Sequence, residues 1–558
     1  MPITAGRQGN DAIAAASPPS AVGVKRPPGA RAAGVVLIAA AVAGVALRGW
    51  GTGRKRVWTG DEASFYVTAS GHLAEFVGAF EDGAPPAGRW VAAHQWKRLW
   101  KPNDPLCFGR IARDVATWDV HAPLYLWLLH LWTLLVGAHT WAGPALNCLI
   151  DAIAAVILFA LASRALRSRL SGALAVLIWA ISPAVVVTSL VARYHSLLAL
   201  FTVFLADQAL RLSDPRQPLA PGRLPLVFLA TIGLLLTNYY GPIILLACGM
   251  IVLFRLWRAN RRRLLAGLCT VAAAVAFCAI VNPFFPRAFA NQRGQHTAFE
   301  LAAFAARVRA VLRAVNSFFL WSWREPIVFT AILLAGAAAF IAAAAWAGRR
   351  RQKALSELLR RAWPPEARRC ALLMLLMLLP TAGLYLAFKV HPKAMSHQHL
   401  VYLWPFAAVL AAGLLRLAGR REALAGAVLC AAMLATSAYS TRELLGSQTH
   451  DPAGHLAKAG GIVIDNPHCA FVPPLLLSVP DQTPVFAWDQ RKLAAEPERW
   501  VGRFGEGVYA SRDGYRASDA GRRRVLAHLA GRTQGYLAGR KAAGFHLYFI
   551  ASPREPPP

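Results

Sequence analysis

The run from Ala32 to Leu47 holds no charged side chain and none that can hydrogen-bond, and blocks of the same Ala, Leu and Val character return along the chain as far as residue 440. Only one environment suits a series of such blocks. In hydrocarbon every backbone N–H and C=O must be satisfied within the segment, which leaves the helix as the form each block can take. Composition agrees: 56% of the residues are hydrophobic and 16% charged, an apolar share above that of ordinary soluble domains.

The formal net charge of +32 does not describe a nucleic-acid binder, because the arginines lie between apolar blocks rather than on one face or in a recognition module. The clusters are Arg164/Arg167/Arg169, Arg211/Arg216/Arg223, Arg255 to Arg263, Arg349 to Arg369 and Arg416/Arg420/Arg421. Basic residues beside spans stay in the cytoplasm and attract anionic headgroups. Placing all five clusters on that side predicts spans at 32–47, 144–163, 170–190, 195–211, 224–237, 241–257, 264–282, 326–347, 371–389, 399–416 and 423–440. Eleven crossings put the N-terminus inside and the C-terminus outside. The arrangement requires that Leu124 to Val136 not cross, and its 13 residues fall below the ~20 that a span needs; it is expected to be re-entrant or interfacial.

Residues 1–31, rich in Ala, Pro and Gly without periodicity, read as a disordered cytoplasmic tail. Residues 32–440 form the membrane module, and 48–121 is its first external loop. Within that loop Trp90, Trp96 and Trp100 interleave with Arg89, Lys97 and Arg98, as in a helix lying in the interface. The region 441–558 carries short apolar runs at 461–464, 470–477, 485–488 and 545–550 bounded by Pro, Gly and Asp. These read as strands beside helical pieces of a small extracytoplasmic α/β domain. The eight cysteines show no CxxC pair and no zinc spacing with histidine, so no metal site is expected.

On this topology the outer side collects the polar groups able to do chemistry. Thr59-Gly60-Asp61-Glu62 has the spacing of a capping box; Asp61 then remains free to take a proton from an acceptor hydroxyl or amine. His121-Ala122-Pro123 opens the short apolar helix, where an anion would be favoured; a His before a helix-starting Pro has the same appearance. Arg193-Tyr194-His195 and Asn238-Tyr239-Tyr240 lie at similar depth, either as an interfacial aromatic belt with a snorkelling Arg or as ligands of a phosphate. Lys389, His391, Lys393, His397 and His399 admit the same two readings.

Taken together, Asp61-Glu62-Ala-Ser-Phe-Tyr, His121-Ala-Pro-Leu-Tyr-Leu-Trp, Ala192-Arg193-Tyr194-His195 and Thr237-Asn238-Tyr239-Tyr240 resemble the multispanning GT-C glycosyltransferases of family 39. That superfamily comprises the dolichyl-phosphate-mannose protein mannosyltransferases and ArnT-like aminoarabinose transferases. The resemblance is strong over residues 32 to 260, holds in pattern for the later spans and is absent after 441. It implies an all-α polytopic membrane bundle of GT-C type with interfacial helices. The implied activity is transfer of a sugar from a polyprenyl-phosphate donor to a lipid, glycan or protein acceptor of the cell envelope, in a bacterial inner membrane. Asp61 would be the general base, Glu62 would orient base or acceptor, and His121 would sit near the lipid phosphate with Arg193, Tyr194, Tyr239, Tyr240, Lys389 and His397. Two departures stand out: the residue that the family carries between Arg and Tyr is missing at 193–194, and Ala122 replaces a second Pro. No cofactor is required, since a polyprenyl phosphate leaves readily once its charge is held; a divalent metal would be compatible, but no ligand cluster calls for one. A transporter or flippase of lipid-linked sugars is the competing class.

Overall fold

The computed structural model describes residues 30–119, 121–215, 218–284, 286, 301–319, 363–387, 396–448, 456, 459–501, 507–511, 518–532, 536–542 and 545–551. The tail 1–29, the span expected at 326–347 and Lys389 lie outside them.

The first helix, α1 (Ala30–Arg54), turns Val35, Ile38, Val42 and Val45 outward at 63–70% exposure. Their spacing of three and four residues makes one bare apolar stripe, which only a lipid phase covers at no cost. From α1 the chain passes through the short elements of the first loop: α2 (Gly60–Ala69), α3 (Leu73–Glu81), β1 (Val91–Ala92), α4 (Ala93–Lys97), α5 (Phe108–Trp118) and α6 (Leu124–Val136). The bundle follows as α7 (Ala142–Leu166), α8 (Arg169–Ala180), α9 (Pro183–Ser189), α10 (His195–Leu212), α11 (Arg223–Thr237), α12 (Gly241–Leu256) and α13 (Arg261–Val281). Further helices run over Leu301–Asn316, Pro365–Ala387, Trp404–Leu415 and Glu422–Gln448.

Among the described residues six helices are long and apolar enough to cross a membrane, and a seventh crossing forms if α8 and α9 count as one bent span. The single helix expected at 170–190 is thus two, inclined at 56°. Pro183 is the cause, because it lacks an N–H and its ring collides with the preceding turn. The carbonyls freed at the bend are satisfied from outside: Arg48 Nη1 donates to Ala180 O at 2.9 Å, and the Ser437 hydroxyl donates to Ile181 O. The same Arg48 side chain pairs with Asp151 of α7 at 3.1 Å, both buried. One cation thereby ties α1 to α7 and to the break in α8–α9. α11 and α12, at 15 and 16 residues, fall short of a full span. α6 spans 13 residues, about 20 Å at 1.5 Å per residue, and does not reach across a hydrocarbon core of ~30 Å.

Residues after 459 contribute five strands, β2 (Ile462–Ile464), β3 (Pro484–Ala487), β4 (Gly507–Ser511), β5 (Tyr536–Ala542) and β6 (Phe545–Ala551), to a sheet of order β1-β3-β2-β4-β6-β5. The central strands β3, β2 and β4 are parallel, with Ile462 level with Val485 and Val508; helical crossovers at Val472–Leu476 and Gln490–Ala495 join them, as parallel pairing demands. The run 470–477, expected as a strand, is the first of these crossovers. Pro473 and Pro474 occupy the start of the helix, where missing N–H groups do no harm, whereas in a central strand each would delete a ladder bond.

The edge strand β1 comes from the first loop, Val91 pairing antiparallel with Val485. Gly88, Ala93 and His94 extend this seam by donating to Ala487, Thr483 and Asp481, and Lys97 pairs with Asp481 at 2.8 Å. The first loop and the C-terminal region therefore share one sheet.

Candidate active site

The site grows from α2, which is bolted down before its first turn is used. Trp58 stacks on Tyr66 at 4.3 Å between ring centroids. The Tyr66 hydroxyl accepts from Gly143 N at 2.7 Å and donates to His139 O at 2.9 Å, fixing α2 against the start of α7. At the other end Thr59 caps the helix: its hydroxyl accepts from Glu62 N, and Glu62 Oε2 accepts from Thr59 N at 3.2 Å. This is the reciprocal box that the Thr-x-x-Glu spacing announces.

Glu62 does more than cap. Its side chain is fully enclosed, and Lys55 Nζ approaches both oxygens, at 2.7 and 2.6 Å. Burial pushes the Glu62 carboxyl above the usual carboxylate range and pulls the Lys55 ammonium below its own, while their attraction opposes both shifts. Glu62 Oε1 also accepts from Ala192 N at 3.1 Å, and Lys55 Nζ donates to Leu190 O at 2.6 Å. The pair thus clamps the backbone of residues 190–192. What leaves that clamp is Arg193.

Arg193 reaches back over α2. Its Nη1 donates to Asp61 Oδ2 at 3.0 Å and its Nη2 to His121 Nε2 at 3.1 Å. His121 Nδ1 lies 2.6 Å from Asp119 Oδ1. A guanidinium can only donate, so Nε2 is the acceptor of this contact while Nδ1 faces the Asp119 carboxylate. The result is a continuous line, Asp119–His121–Arg193–Asp61, drawn from three separate segments of chain. The guanidinium also lies 5.1 Å from the Phe65 ring, and its Nε is buried with no hydrogen-bond partner among the described residues. Asp61, by contrast, has a side chain 55% exposed. Adjacent carboxylates have been sorted, Glu62 into the interior and Asp61 toward solvent.

The remaining sequence candidates surround this line. The Tyr194 ring is 5.2 Å from His121 and 6.2 Å from Phe65. Tyr239 and Tyr240 sit in the turn between α11 and α12, held by Asn238, whose Oδ1 accepts from Tyr240 N at 2.7 Å; Tyr239 is within electrostatic reach of Asp119. His195 is enclosed with neither ring nitrogen hydrogen-bonded among the described residues, in the field of Arg193, His121, His397 and His399.

Three participants were missing from the sequence reading: Asp119, Lys55 and the Ala192 N–H. Asp119 had a signal, an acidic residue two positions before the candidate histidine. Cys469, on the loop after β2, places its Sγ 3.5 Å from the Ser64 hydroxyl of α2; burial raises its thiol pKa to about 11, so it packs there as an inert thiol. No group of three or more His, Cys, Asp or Glu suited to a metal ion occurs among the described residues.

A bundle of apolar helices whose first loop pairs into a C-terminal sheet is a fold with known counterparts. Two crystal structures of ArnT from Cupriavidus metallidurans share it. One, bound to undecaprenyl phosphate, has TM-score 0.52 and 14% identity, covering 95% of this chain and 100% of that one. The other, in the apo state, has TM-score 0.50 at the same identity and coverage. Residues 120–286 match the family described as dolichyl-phosphate-mannose-protein mannosyltransferase. A search of curated protein sequences finds no match.

Proposed function

We propose that the protein is a membrane glycosyltransferase that moves a sugar from a polyprenyl-phosphate donor to an acceptor outside the cytoplasm. The observation that carries this reading is Arg193, a nearly enclosed cation set between an exposed carboxylate and the Nε2 of His121, with its Nε–H unspent among the described residues. Asp61 takes the proton of the acceptor hydroxyl or amine. The acceptor atom bonds to the anomeric carbon as the bond from that carbon to the phosphate oxygen breaks. The electron pair leaves with the polyprenyl phosphate, and its charge is met by Arg193, assisted by Tyr194 and the turn at Tyr239–Tyr240. Asp119 holds His121 so that its Nε2 faces Arg193. Glu62 and Lys55 position the arginine and do not touch substrate.

Similarity to the ArnT fold, in a protein whose crystal structure contains undecaprenyl phosphate, supports a lipid-phosphate donor. In this reading the chain is multi-pass in a bacterial inner membrane, with its N-terminus cytoplasmic and its C-terminal sheet covering the outer end. The test incubates purified full-length protein with labelled polyprenyl-phosphate sugars and envelope lipids, glycans and peptides. A labelled product from wild type, reduced at least 100-fold in D61N, is expected, since a general base contributes 10²–10⁴. Lipid translocation without product, or full transfer by D61N, overturns the assignment.

A further inference from the structure

At the end of the bundle remote from Asp61, some 27 Å away along the 18 residues of α10, four arginines from four helices converge. Arg164 comes from the last turn of α7, Arg211 from the last turn of α10, Arg223 opens α11 and Arg263 lies in the first turn of α13. A buried carboxylate, Asp207, meets two of them. Asp207 lies 2.6 Å from Arg164 Nη2 through Oδ1 and 2.8 Å from Arg211 Nε through Oδ2. Arg263 is buried and spends Nη1 on Asp214 O at 2.6 Å. Arg223 stands in the field of Arg211, Arg164 and Arg263, with Asp207 as the opposing charge. Its Nε and Nη1 are buried without a hydrogen-bond partner among the described residues. The nearby Glu366 is matched by Arg167 and Arg369, at 3.7 and 3.6 Å, and so does not relieve the excess.

Four guanidiniums gathered around Asp207 and Asp214, with Arg223 Nε and Nη1 unspent among the described residues, suit an anion that offers several oxygens to fork-shaped donors. A turn further along the same helices the surface changes character: Leu226 and Leu229 of α11 and Leu265 and Leu268 of α13 are exposed. A polar anionic head above, with apolar chains beneath, fits that order of surfaces. We propose that Arg164, Arg211, Arg223 and Arg263 bind the phosphodiester of an anionic phospholipid whose acyl chains lie along α11 and α13. This site is independent of the transfer chemistry.

The experiment titrates the purified full-length protein in neutral detergent with dioctanoyl-phosphatidylglycerol, dioctanoyl-phosphatidylcholine or sodium phosphate. It reads the thermal unfolding midpoint and, by native mass spectrometry, the lipids retained. Only phosphatidylglycerol is expected to raise the midpoint and to be retained, and R223Q should bind it at least tenfold more weakly. An equal response to phosphatidylcholine, an equal shift from sodium phosphate, or unchanged binding by R223Q overturns the proposal. Should R223Q not fold, R223K keeps the charge but loses the fork; retention equal to wild type in that variant overturns it as well.

Discussion

Asp61 and Glu62 are neighbours in sequence and opposite in consequence, and replacing each by its amide separates them. In E62Q the ammonium of Lys55, 1% exposed, loses its counter-charge inside the protein. Removing one member of a buried pair costs about 3–5 kcal/mol. The amide also presents one N–H₂ group to donors that formerly met two oxygens, Thr59 N on one side and Ala192 N on the other, which adds about 1 kcal/mol for the damaged cap. Against a total stability of about 5–15 kcal/mol the variant should lose a large share of its folded population. D61N faces different physics: the Asp61 carboxylate is 55% exposed, and Arg193 keeps its contact with His121, so the loss should be far smaller, about 1 kcal/mol. The assay is thermal unfolding in detergent followed by circular dichroism, with sugar transfer measured on whatever remains folded. D61N should melt like wild type and fail to transfer. E62Q should melt far lower, and K55M/E62Q, which leaves no buried charge unpaired, should recover part of that loss. Equal midpoints for D61N and E62Q, or strictly additive effects in the double variant, would refute the division of labour between the two carboxylates.

Two further substitutions probe the surroundings. A Cβ at Gly143 would sit 2.1 Å from the Ala192 Cβ and 3.0 Å from the Tyr66 hydroxyl, so G143A should displace the segment carrying Arg193. Transfer should fall at least tenfold while the protein stays monodisperse in detergent, and unchanged transfer would detach Arg193 from the chemistry. Burial lowers His468 to about 4, with Glu81 pulling weakly the other way. The unfolded chain, near 6.5, therefore binds the extra proton between those values, and stability falls as pH drops through 6.5 before levelling below about 4. The ceiling is about 3 kcal/mol. H468N keeps an acceptor for Ala470 N, which His468 Nδ1 meets at 3.0 Å. It should flatten the decline in unfolding midpoint between pH 7 and pH 5, and an unaltered slope would sink the idea.

What could be read from the sequence depended on how far apart the partners lie in it. The capping box needs only residues 59 to 62, and the half-length of α6 needs only a count, so both were visible. The ends of α7, α10 and α13 followed from arginines that stop an apolar block. Lys55 was near enough to Glu62 to be considered, yet nothing local says that the chain turns back between them; the pair exists because Leu190 and Ala192 close over it. Asp151 and Asp207 stood in plain view as carboxylates inside apolar blocks, which is itself a signal that a buried cation faces them. Arg164, a partner of Asp207, was counted instead as a marker of sidedness, and Arg48, the partner of Asp151, only as the start of the first external loop. The two-residue strand β1 is the extreme case, since its partner Val485 lies at the far end of the chain and no pattern of two residues specifies a strand. That same seam brings the loop bearing Cys469 to Ser64, one helical turn from Asp61. The surroundings of Asp61 therefore have one side written in motifs and another written only in tertiary contacts.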